Sequence, residues 1–266
     1  MRAYYHGPDH PAKLRIYYWL RSTPPFRTVT AETPHGVMIL DLRDYIQHEI
    51  FLHGVYEPAT LRLFVELIGE GDCVVDVGAN VGQFALAAAA RVGASGSVLA
   101  IEPHPLNCEQ LLANRRASAY RDRIEVVFGA ASDHRQMIDF GIPPPSARAI
   151  CRARPDSTTE GFWAPALQIP DILKQLKRDR VKAIKIDVEG AERGVLKGFL
   201  DAGMRPENII FEYAPGQFDY DEGAGSLIRF VEGFGYRCFD VEGAPFGNKE
   251  KLPESNVWAR FCRGRD

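Results

Sequence analysis

The segment at residues 74–84, VVDVGANVGQF, contains the residue types with the clearest chemistry in the chain. An apolar run includes Asp76, and Gly78 and Gly82 bracket a turn that leads into a helical pattern. Glycine at these positions allows a tight turn, close approach of a ligand and close contact between helix and strand. The dinucleotide pattern GxGxxG is absent, and the carboxylate of Asp76 would repel a pyrophosphate. The same carboxylate would attract an ammonium or sulfonium group, a description that S-adenosylmethionine fits.

A second acidic residue, Glu102, stands at the end of the next predicted strand, 26 positions after Asp76. A carboxylate at that place can accept hydrogen bonds from both hydroxyls of a ribose. The third strand leads into small residues at 129–132 and then Asp133, where the edge of an adenine could lie. Asp133 is equally compatible with a plain turn or a helix cap. Separate segments of the chain therefore converge on one predicted nucleoside site.

The motif IKIDVEGAE at residues 184–192 supplies the main candidate catalytic groups. If the strand stays extended, alternation places Lys185, Asp187 and Glu189 on one side, at the carboxyl edge of the sheet. A hydroxyl that attacks a sulfonium methyl group must lose its proton, and a carboxylate can accept that proton or orient the nucleophile. Asp187 is the first candidate for this role and Glu189 the second. Lys185 either holds the acceptor and tunes the carboxylates, or only neutralises one of them.

Two further residues have both a functional and a structural interpretation. His104, between two prolines directly after Glu102, can act as a base, or it can belong to a rigid loop that packs on adenine. Glu57 precedes the predicted helix that leads into the first sheet strand. It can meet the amino group at the methionine end of the cofactor, or it can cap that helix with Pro58 at the first helical position.

A metal ion is not expected to be needed. Asp187 and Glu189, with a third carboxylate such as Glu212, offer oxygen ligands that Mg²⁺ or Ca²⁺ would accept, but many methyl transfers need no metal. The five cysteines are odd in number and contain no CxxC or CxxH pair. That spacing argues against both a zinc site and a disulfide framework. No residue is therefore assigned as a metal ligand.

The elements that must position these groups alternate between short apolar strands and helical patterns. The predicted strands are Cys73–Val77, 97–101, Ile124–Phe128, 183–187 and Asn208–Tyr213. The predicted helices cover residues 80–91, 106–117, 169–177 and 191–202. Nearly continuous apolar strands in this rhythm are typical of a mainly parallel, doubly wound α/β sheet with both faces covered. After a helix at 226–234, strands at 236–241 and 257–262 are expected to add an antiparallel pair at one edge.

Two regions fall outside this rhythm. Residues 1–55 contain an aromatic-rich amphipathic stretch at 10–21 and a strand pattern at 36–42, and we interpret them as an N-terminal extension or cap. Residues 56–266 form the main predicted domain. Residues 141–165 show no clear sheet periodicity and predict a long excursion between strands, a feature that is usually functional or disordered.

Composition and charge describe an ordinary globular protein. Of the 266 residues, 45% are hydrophobic and 25% charged, which excludes a collagen-like, coiled-coil or disordered chain. The longest stretch without a charge, at 77–90, is shorter than the roughly 20 apolar residues that cross a bilayer. Because the N-terminus also lacks the pattern of a secretory signal, a cytoplasmic protein without a membrane span is expected. A net charge of −3 predicts no nucleic-acid partner.

Three motifs resemble those of the FkbM family of S-adenosylmethionine-dependent methyltransferases: VDVGANVG at 75–82, EPHPLN at 102–107 and, most distinctively, IKIDVEGAE at 184–192. The resemblance implies a Rossmann-like class I methyltransferase fold, with a seven-stranded mainly parallel sheet, a reversed last strand and helices on both faces. It also implies O-methylation of a sugar, glycoside, polyketide or other secondary metabolite. A small-molecule or glycoside acceptor is thus the expected partner, and a homodimer is left open.

The predicted site can be stated residue by residue. The cofactor-binding candidates are Glu57, Asp76, Gly78, Ala79, Asn80, Gly82, Glu102, Pro103, Asn107, Ala131, Ser132 and Asp187. The catalytic candidates are Asp187, Glu189, Lys185 and His104. Two other classes of protein remain as alternatives: a catalytically silent nucleoside-binding or scaffold module in a biosynthetic complex, and a nicotinamide-dependent oxidoreductase. The second is disfavoured because the third glycine and a suitably placed Tyr-x-x-x-Lys pair are missing.

Overall fold

The computed structural model describes residues 6–23, 26–148, 150–154, 160–214, 225–245 and 255–262. The strands are β1 (Thr28–Thr33), β2 (Gly36–Asp41), β3 (Cys73–Val77), β4 (Ser97–Glu102), β5 (Ile124–Phe128), β6 (Ala130–Ala131), β7 (Gln136–Gly141), β8 (Gly161–Leu167), β9 (Ala183–Ile186), β10 (Asn208–Tyr213), β11 (Tyr236–Asp240) and β12 (Ser255–Phe261). The helices are α1 (Lys13–Ser22), α2 (Tyr45–His53), α3 (Pro58–Glu66), α4 (Gln83–Arg91), α5 (Pro105–Ala117), α6 (Ile169–Gln175), α7 (Glu192–Leu200) and α8 (Ser226–Gly233). Every helix in the described ranges falls short of the length and apolarity needed to cross a membrane.

A seven-stranded sheet lies at the centre of the fold, in the spatial order β11, β12, β10, β9, β3, β4, β5. The strands from β10 to β5 pair in parallel, whereas β12 runs antiparallel to both of its neighbours. Helices α4 and α5 connect the parallel strands β3, β4 and β5, and α7 connects β9 to β10. The predicted mainly parallel α/β sheet is confirmed, together with its reversed last strand and the strand pair added at one edge.

Both faces of the central sheet are buried against helices. On one face Val77 and Phe211 pack in a cluster with Phe199 of α7. On the other face Val74 packs in a second cluster with Phe64 of α3. Because successive side chains of a strand point to opposite faces, burial on both faces requires nearly continuous apolar strands. Strands β3 and β10 accordingly have the bounds that their apolar runs predict, and so does the edge strand β5, although its Glu125 and Phe128 are exposed.

Helix α4 begins three residues later than its apolar pattern predicts. Asn80 and Gly82 have left-handed φ angles of 51° and 95°, so the chain enters a right-handed helix only after Gly82, which occupies the N-cap position. Hydrogen bonds from the N–H groups of Gly78 and Ala79 to the carbonyl oxygen of Ile101, both 3.0 Å, tie this turn to the neighbouring strand. The result is a rigid turn at the carboxyl end of β3.

The N-terminal region packs onto the same core. Strands β1 and β2 form an antiparallel hairpin, and Met38, Leu40 and Ile50 of this region share the buried cluster that contains Phe64. The side chain of Asn114 on α5 joins the two parts, because it accepts from the N–H of Ile39 at 2.7 Å and donates to a carbonyl of the β3–α4 turn at 2.8 Å. Strand β1 and helix α2 are not predicted from the sequence.

The absence of sheet structure predicted for residues 141–165 is wrong for its last part. Strand β8 begins at Gly161, pairs antiparallel with β7 and in parallel with β6, and completes a three-stranded sheet beside the central one. The sequence does not predict this strand because it contains Gly161 and Pro165, and both residue types are depleted in sheets. Residues 149 and 155–159 of the excursion lie outside the described ranges.

Candidate functional site

A cavity of about 780 Å³ opens at the carboxyl edge of the sheet, where β4, β3, β9 and β10 end side by side. One wall comes from α2 and residues 56–57, and the opposite wall from β6, β7 and residues 151–153. Doubly wound folds bind their ligands at this edge of the sheet. Of the twelve predicted cofactor-binding residues, nine line the cavity: Glu57, Gly78, Ala79, Asn80, Glu102, Pro103, Asn107, Ala131 and Asp187.

Gly78 permits the closest backbone approach in the site. It has a φ of 76°, and a Cβ atom at this position would lie 1.8 Å from the carbonyl oxygen of Asp187. Only glycine fits both the conformation and the space. The ends of β3 and β9 are thereby held together, and the next polar side chain, Asn80, lines the cavity with a buried Oδ1 that has no hydrogen-bond partner within the described ranges.

Glu102 is a buried carboxylate held from two sides at the end of β4. Its Oε2 accepts from the N–H of Asn80 at 2.8 Å, and its Oε1 accepts from the N–H of His104 at 2.9 Å. Burial raises the pKa of Glu102 to about 7, although these backbone hydrogen bonds favour the charged form. The carboxylate is therefore fixed in orientation beside the Gly78 turn, with lone pairs left for hydroxyl groups of a ligand.

Lys185, which is buried, and Asp187, which is partly exposed, form an ion pair at the floor of the cavity. The Nζ atom of Lys185 donates to Oδ2 of Asp187 at 2.9 Å and lies 4.4 Å from the ring centroid of Phe84. Burial opposes the lysine charge, but Asp187, Glu57 and Asp76 outweigh it, so the pKa of Lys185 is raised and the ammonium stays charged. Of the two predicted roles, the neutralisation of a carboxylate is the one visible in this contact.

Glu57 occupies the position before α3 in a left-handed conformation, with a φ of 50°. Its side chain makes no capping hydrogen bond to the described residues of that helix, although Pro58 stands at the first helical position. Instead Oε2 accepts from Nδ2 of Asn256 at 3.1 Å, and the carboxylate lines the cavity. Burial raises the pKa of Glu57, and Lys185 opposes that effect. The cavity-facing alternative is thus the one that this geometry favours.

The chain does not stay extended from Lys185 to Glu189, as the alternation argument requires. Strand β9 ends at Ile186, and Glu189 has a left-handed φ of 57°. Glu189 still lines the cavity, where its Oε2 accepts from Nη2 of Arg152 at 2.9 Å. Glu192, the first residue of α7, turns its side chain back toward this loop, and its Oε1 accepts from the N–H groups of residues 188 and 190 at 3.1 and 3.2 Å. Glu192 therefore braces this loop.

His104 lies outside the cavity lining, at the N-cap of α5. Its Nδ1 accepts from the N–H of Asn107 at 3.4 Å, and its ring packs edge-on against Phe162 with 5.5 Å between centroids. Burial, with a smaller effect of Arg148, lowers the pKa of His104 to about 4, so the ring is neutral at pH 7. The structure gives this histidine a capping and packing position, away from the groups at the ends of β9 and β10.

Three of the cofactor-binding candidates also lie outside the lining. Asp76 is buried beneath the cavity, where burial raises its pKa to about 6 against the effect of Lys185. Gly82 lets α4 approach α5, since a Cβ atom there would lie 2.4 Å from the side chain of Leu111. Ser132 donates its N–H to the carbonyl of residue 167 at 2.9 Å, and Asp133 beside it accepts from Lys197 at 3.0 Å. The turn interpretation of Asp133 is the one favoured.

Several lining residues are not predicted from the sequence. Tyr56 exchanges two hydrogen bonds with Gln83, at 2.7 and 2.8 Å, and this clamp connects the segment before α3 to the start of α4. Arg152 reaches the cavity from a segment that runs beside β7. Glu212 is the last but one residue of β10, whereas Glu102 is the last residue of β4. The sequence names Glu212 only as a possible third carboxylate for a metal ion, and the rule of acidic residues near strand ends would also have placed it at this site. The sequence draws attention to the segment of Tyr56 only through its neighbour Glu57, and Arg152 is not among the predicted site residues.

The possible metal ligands of this site are its carboxylates and Cys151. Within the ranges that the structure describes, no group of three or more His, Cys, Asp or Glu side chains is arranged to hold a metal ion. All five cysteines are free, and Cys151 is among the residues of the cavity wall.

The strand order, the reversed last strand and the buried acidic residue at the end of β4 define a Rossmann-like fold of the class I methyltransferase type. The chain belongs to the FkbM methyltransferase family, because residues 76–238 match the family model described as the methyltransferase FkbM domain. The predicted family and fold are confirmed.

Individual relatives of the chain have low sequence identity to it. The 31-O-demethyl-FK506 methyltransferase FkbM of Streptomyces tacrolimicus is 27% identical over 260 residues, covering 83% of this chain and 94% of that protein. The hexuronic acid methyltransferase AglP of Haloferax volcanii is 27% identical over 160 residues, covering 60% of this chain and 63% of that protein. A crystal structure of methyltransferase FkbM from Methylobacillus flagellatus KT has a TM-score of 0.49 and 16% identity, covering 82% of this chain and 53% of that one.

Proposed function

We propose that the protein transfers a methyl group from S-adenosylmethionine to a hydroxyl oxygen of a sugar, glycoside, polyketide or other secondary metabolite. The observation that carries this proposal is the buried Glu102, which Asn80 and His104 hold at the cavity wall beside the Gly78 turn. Membership of a methyltransferase family supports the same chemistry. The names of two relatives, which specify an O-demethyl form of FK506 and a hexuronic acid, support an oxygen acceptor on a small molecule or sugar.

The residues of the cavity fit the cofactor. The Glu102 carboxylate offers acceptors for two ribose hydroxyls, and the buried Oδ1 of Asn80 offers another acceptor in the same wall. At the opposite end, Glu57 offers negative charge for the amino group of the methionine part. Small residues at 129–131 leave room for a flat ring. When bound, S-adenosylmethionine supplies an electrophilic methyl group on a positively charged sulfur.

The chain itself contributes positioning and exclusion of water. Asp187, fixed by Lys185, orients the acceptor hydroxyl at the floor of the cavity. The wall from Arg152 and Phe140 covers the cavity from the side of the small sheet. His104 keeps Asn107 and the start of α5 in place by capping the helix. Alignment of this kind raises the rate because the reacting atoms need not find one another in solution.

A mass-spectrometric screen tests the activity. Purified protein is incubated with S-adenosylmethionine and a panel of sugar nucleotides, glycosides, uronic acids and polyketides, with and without EDTA and Mg²⁺. Transfer adds one methyl group to a hydroxyl-bearing compound and releases S-adenosylhomocysteine. Tight binding of S-adenosylhomocysteine with no methylated product would favour the silent binding module, and selective binding of NADH would favour the oxidoreductase.

Glu102→Gln should weaken the binding of S-adenosylhomocysteine about 10- to 150-fold, the equivalent of roughly 1.5–3 kcal/mol for a lost charge-assisted hydrogen bond. In the wild type both carboxylate oxygens of Glu102 accept from backbone N–H groups. The side-chain amide of the variant would therefore place its own N–H group against one of these donors. Isothermal titration calorimetry measures the change. Glu109→Gln on the exposed side of α5 serves as the matched control and should bind normally. Equal affinity of the two folded variants would contradict the placement of the ribose.

A further inference from the structure

Glu212 stands at the carboxyl end of β10 and lines the cavity beside the candidate catalytic groups. In the strand register, Phe211 pairs with Ile186 of β9, and Glu212 pairs with Asn256 of β12. Glu212 therefore lies one strand away from Asp187, which directly follows Ile186. The two carboxyl groups occupy neighbouring positions at the same edge of the sheet.

Glu212 differs from Asp187 and Glu189 in having no ion-pair partner among the described residues. Asp187 is paired with Lys185 at 2.9 Å, and Glu189 accepts from Arg152 at 2.9 Å. A bound cation stabilises the charged form of a carboxylate and makes it a weaker proton acceptor. By contrast, Oε2 of Glu212 is buried and has no hydrogen-bond partner in the part of the chain that the structure describes.

The surroundings of Glu212 favour its protonated form. Burial raises the pKa of Glu212 to about 8, and neighbouring carboxylates add to this effect while Lys185 opposes it. The charged groups that face it from β9, the following loop and α7 are Lys185, Asp187, Glu189 and Glu192, and β12 contributes the uncharged Asn256. A carboxyl group in this state loses its proton when a positive charge arrives nearby.

We propose that Glu212 is the catalytic base of the methyl transfer and that it ionises when a cationic ligand occupies the cavity beside it. The proposal rests on the proposed function, because it needs a methyl donor with a positively charged sulfur. It replaces Asp187 as proton acceptor and leaves Asp187, with Lys185, as the group that orients the acceptor hydroxyl.

The reaction balances with Glu212 in this role. The acceptor oxygen forms a bond to the methyl carbon, the carbon–sulfur bond breaks with its electron pair on sulfur, and Glu212 takes the hydroxyl proton. A sulfonium ion and a carboxylate become a neutral thioether and a neutral carboxyl group beside a methyl ether. Because the positive charge disappears as the bond forms, Glu212 regains its affinity for a proton at the moment when the hydroxyl must lose one.

Proton release on ligand binding tests this coupling without a known acceptor. S-adenosylhomocysteine carries a neutral sulfur, whereas sinefungin carries an ammonium group in place of the S-methyl unit. Both are titrated by calorimetry at pH 7 with EDTA, in buffers of different ionisation enthalpy, into wild type, Glu212→Gln and Asp187→Asn. Wild type should release roughly 0.5–0.9 of a proton more with sinefungin than with S-adenosylhomocysteine. Glu212→Gln should abolish this excess, and Asp187→Asn should keep it.

The outcomes separate this inference from the proposed function. No binding of either ligand to wild type would overturn the proposed function and the role of Glu212 with it. Equal proton release by the two ligands in wild type, or loss of the excess in Asp187→Asn alone, would overturn the role of Glu212 while leaving the cofactor site intact. With an acceptor from the screen, Glu212→Gln should also lower kcat about 10²- to 10⁴-fold while binding S-adenosylhomocysteine normally. Unchanged kcat would overturn the role as base.

Discussion

Gly78→Ala should lower the free energy of unfolding by about 4 kcal/mol or more, whereas Gly203→Ala should lower it by only about 1–2 kcal/mol. Both glycines have left-handed φ angles, 76° and 82°, so the conformational cost of alanine is the same at the two positions. The two positions differ in the space that is available for a Cβ atom. A Cβ atom at residue 78 would lie 1.8 Å from the carbonyl oxygen of Asp187, while no described atom comes within 4 Å of one at residue 203.

The difference between the two variants isolates the contact between the ends of β3 and β9. A backbone carbonyl cannot rotate away like a side chain, so alanine at residue 78 must push Asp187 and its partner Lys185 out of place. Urea unfolding followed by circular dichroism measures both stabilities, and Gly78→Ala should also lose binding of S-adenosylhomocysteine. Equal stability losses in the two variants would show that the strands do not approach each other this closely.

The central sheet is predictable because its strands are buried on both faces. The apolar runs of β3 and β10 give the bounds of those strands without error, since no solvent-facing positions interrupt them. The bounds of the edge strand β5 are also predicted, although its Glu125 and Phe128 are exposed. The same feature places the acidic residues, because Glu102 and Glu212 stand where their apolar runs end. Strand ends and their charged residues are therefore available from the sequence of a doubly wound fold.

Elements with one exposed face are much harder to predict. Strand β1, with the sequence TVTAET, buries only Ala31 and has no apolar run. Strand β8 contains Pro165 and pairs within the small sheet instead of the central one. The left-handed conformation of Glu189 also has no local signal, because non-glycine residues rarely adopt positive φ. Each of these features depends on contacts between segments that are distant along the chain.

The catalytic assignment shows the same limit. Alternation along an extended strand predicts that Lys185, Asp187 and Glu189 act together, but the chain turns after Ile186 and Arg152 arrives from the excursion to pair with Glu189. A carboxylate that pairs with a cation in the folded protein becomes a weaker proton acceptor than one that has no such partner. The sequence contains the acidic groups, whereas the fold determines how they are paired.

Lys185→Met should lower the free energy of unfolding by about 3–5 kcal/mol at pH 8, because it removes the buried cation that Asp187, Glu57 and Asp76 share. Methionine fills a similar volume, so lost packing contributes little. Lys182→Met is the matched control. Lys182 pairs with Glu207 at 2.7 Å, but both side chains are partly exposed, and loss of that pair should cost less than about 1 kcal/mol.

The pH dependence of Lys185→Met identifies the cause of its instability. Burial raises the pKa values of Asp76 and Glu57, and both groups lose the lysine charge that opposes this effect. The folded variant therefore binds protons more readily than its unfolded chain, and stability must rise as pH falls from 8 to 5. Wild type keeps a charged lysine throughout this range and should gain less on acidification. The double variant Lys185→Met with Asp187→Asn should recover part of the loss, since one uncompensated charge is gone. A loss that is independent of pH and unchanged in the double variant would assign it to packing against Phe84, and Lys185 would then have no electrostatic role in holding Asp187.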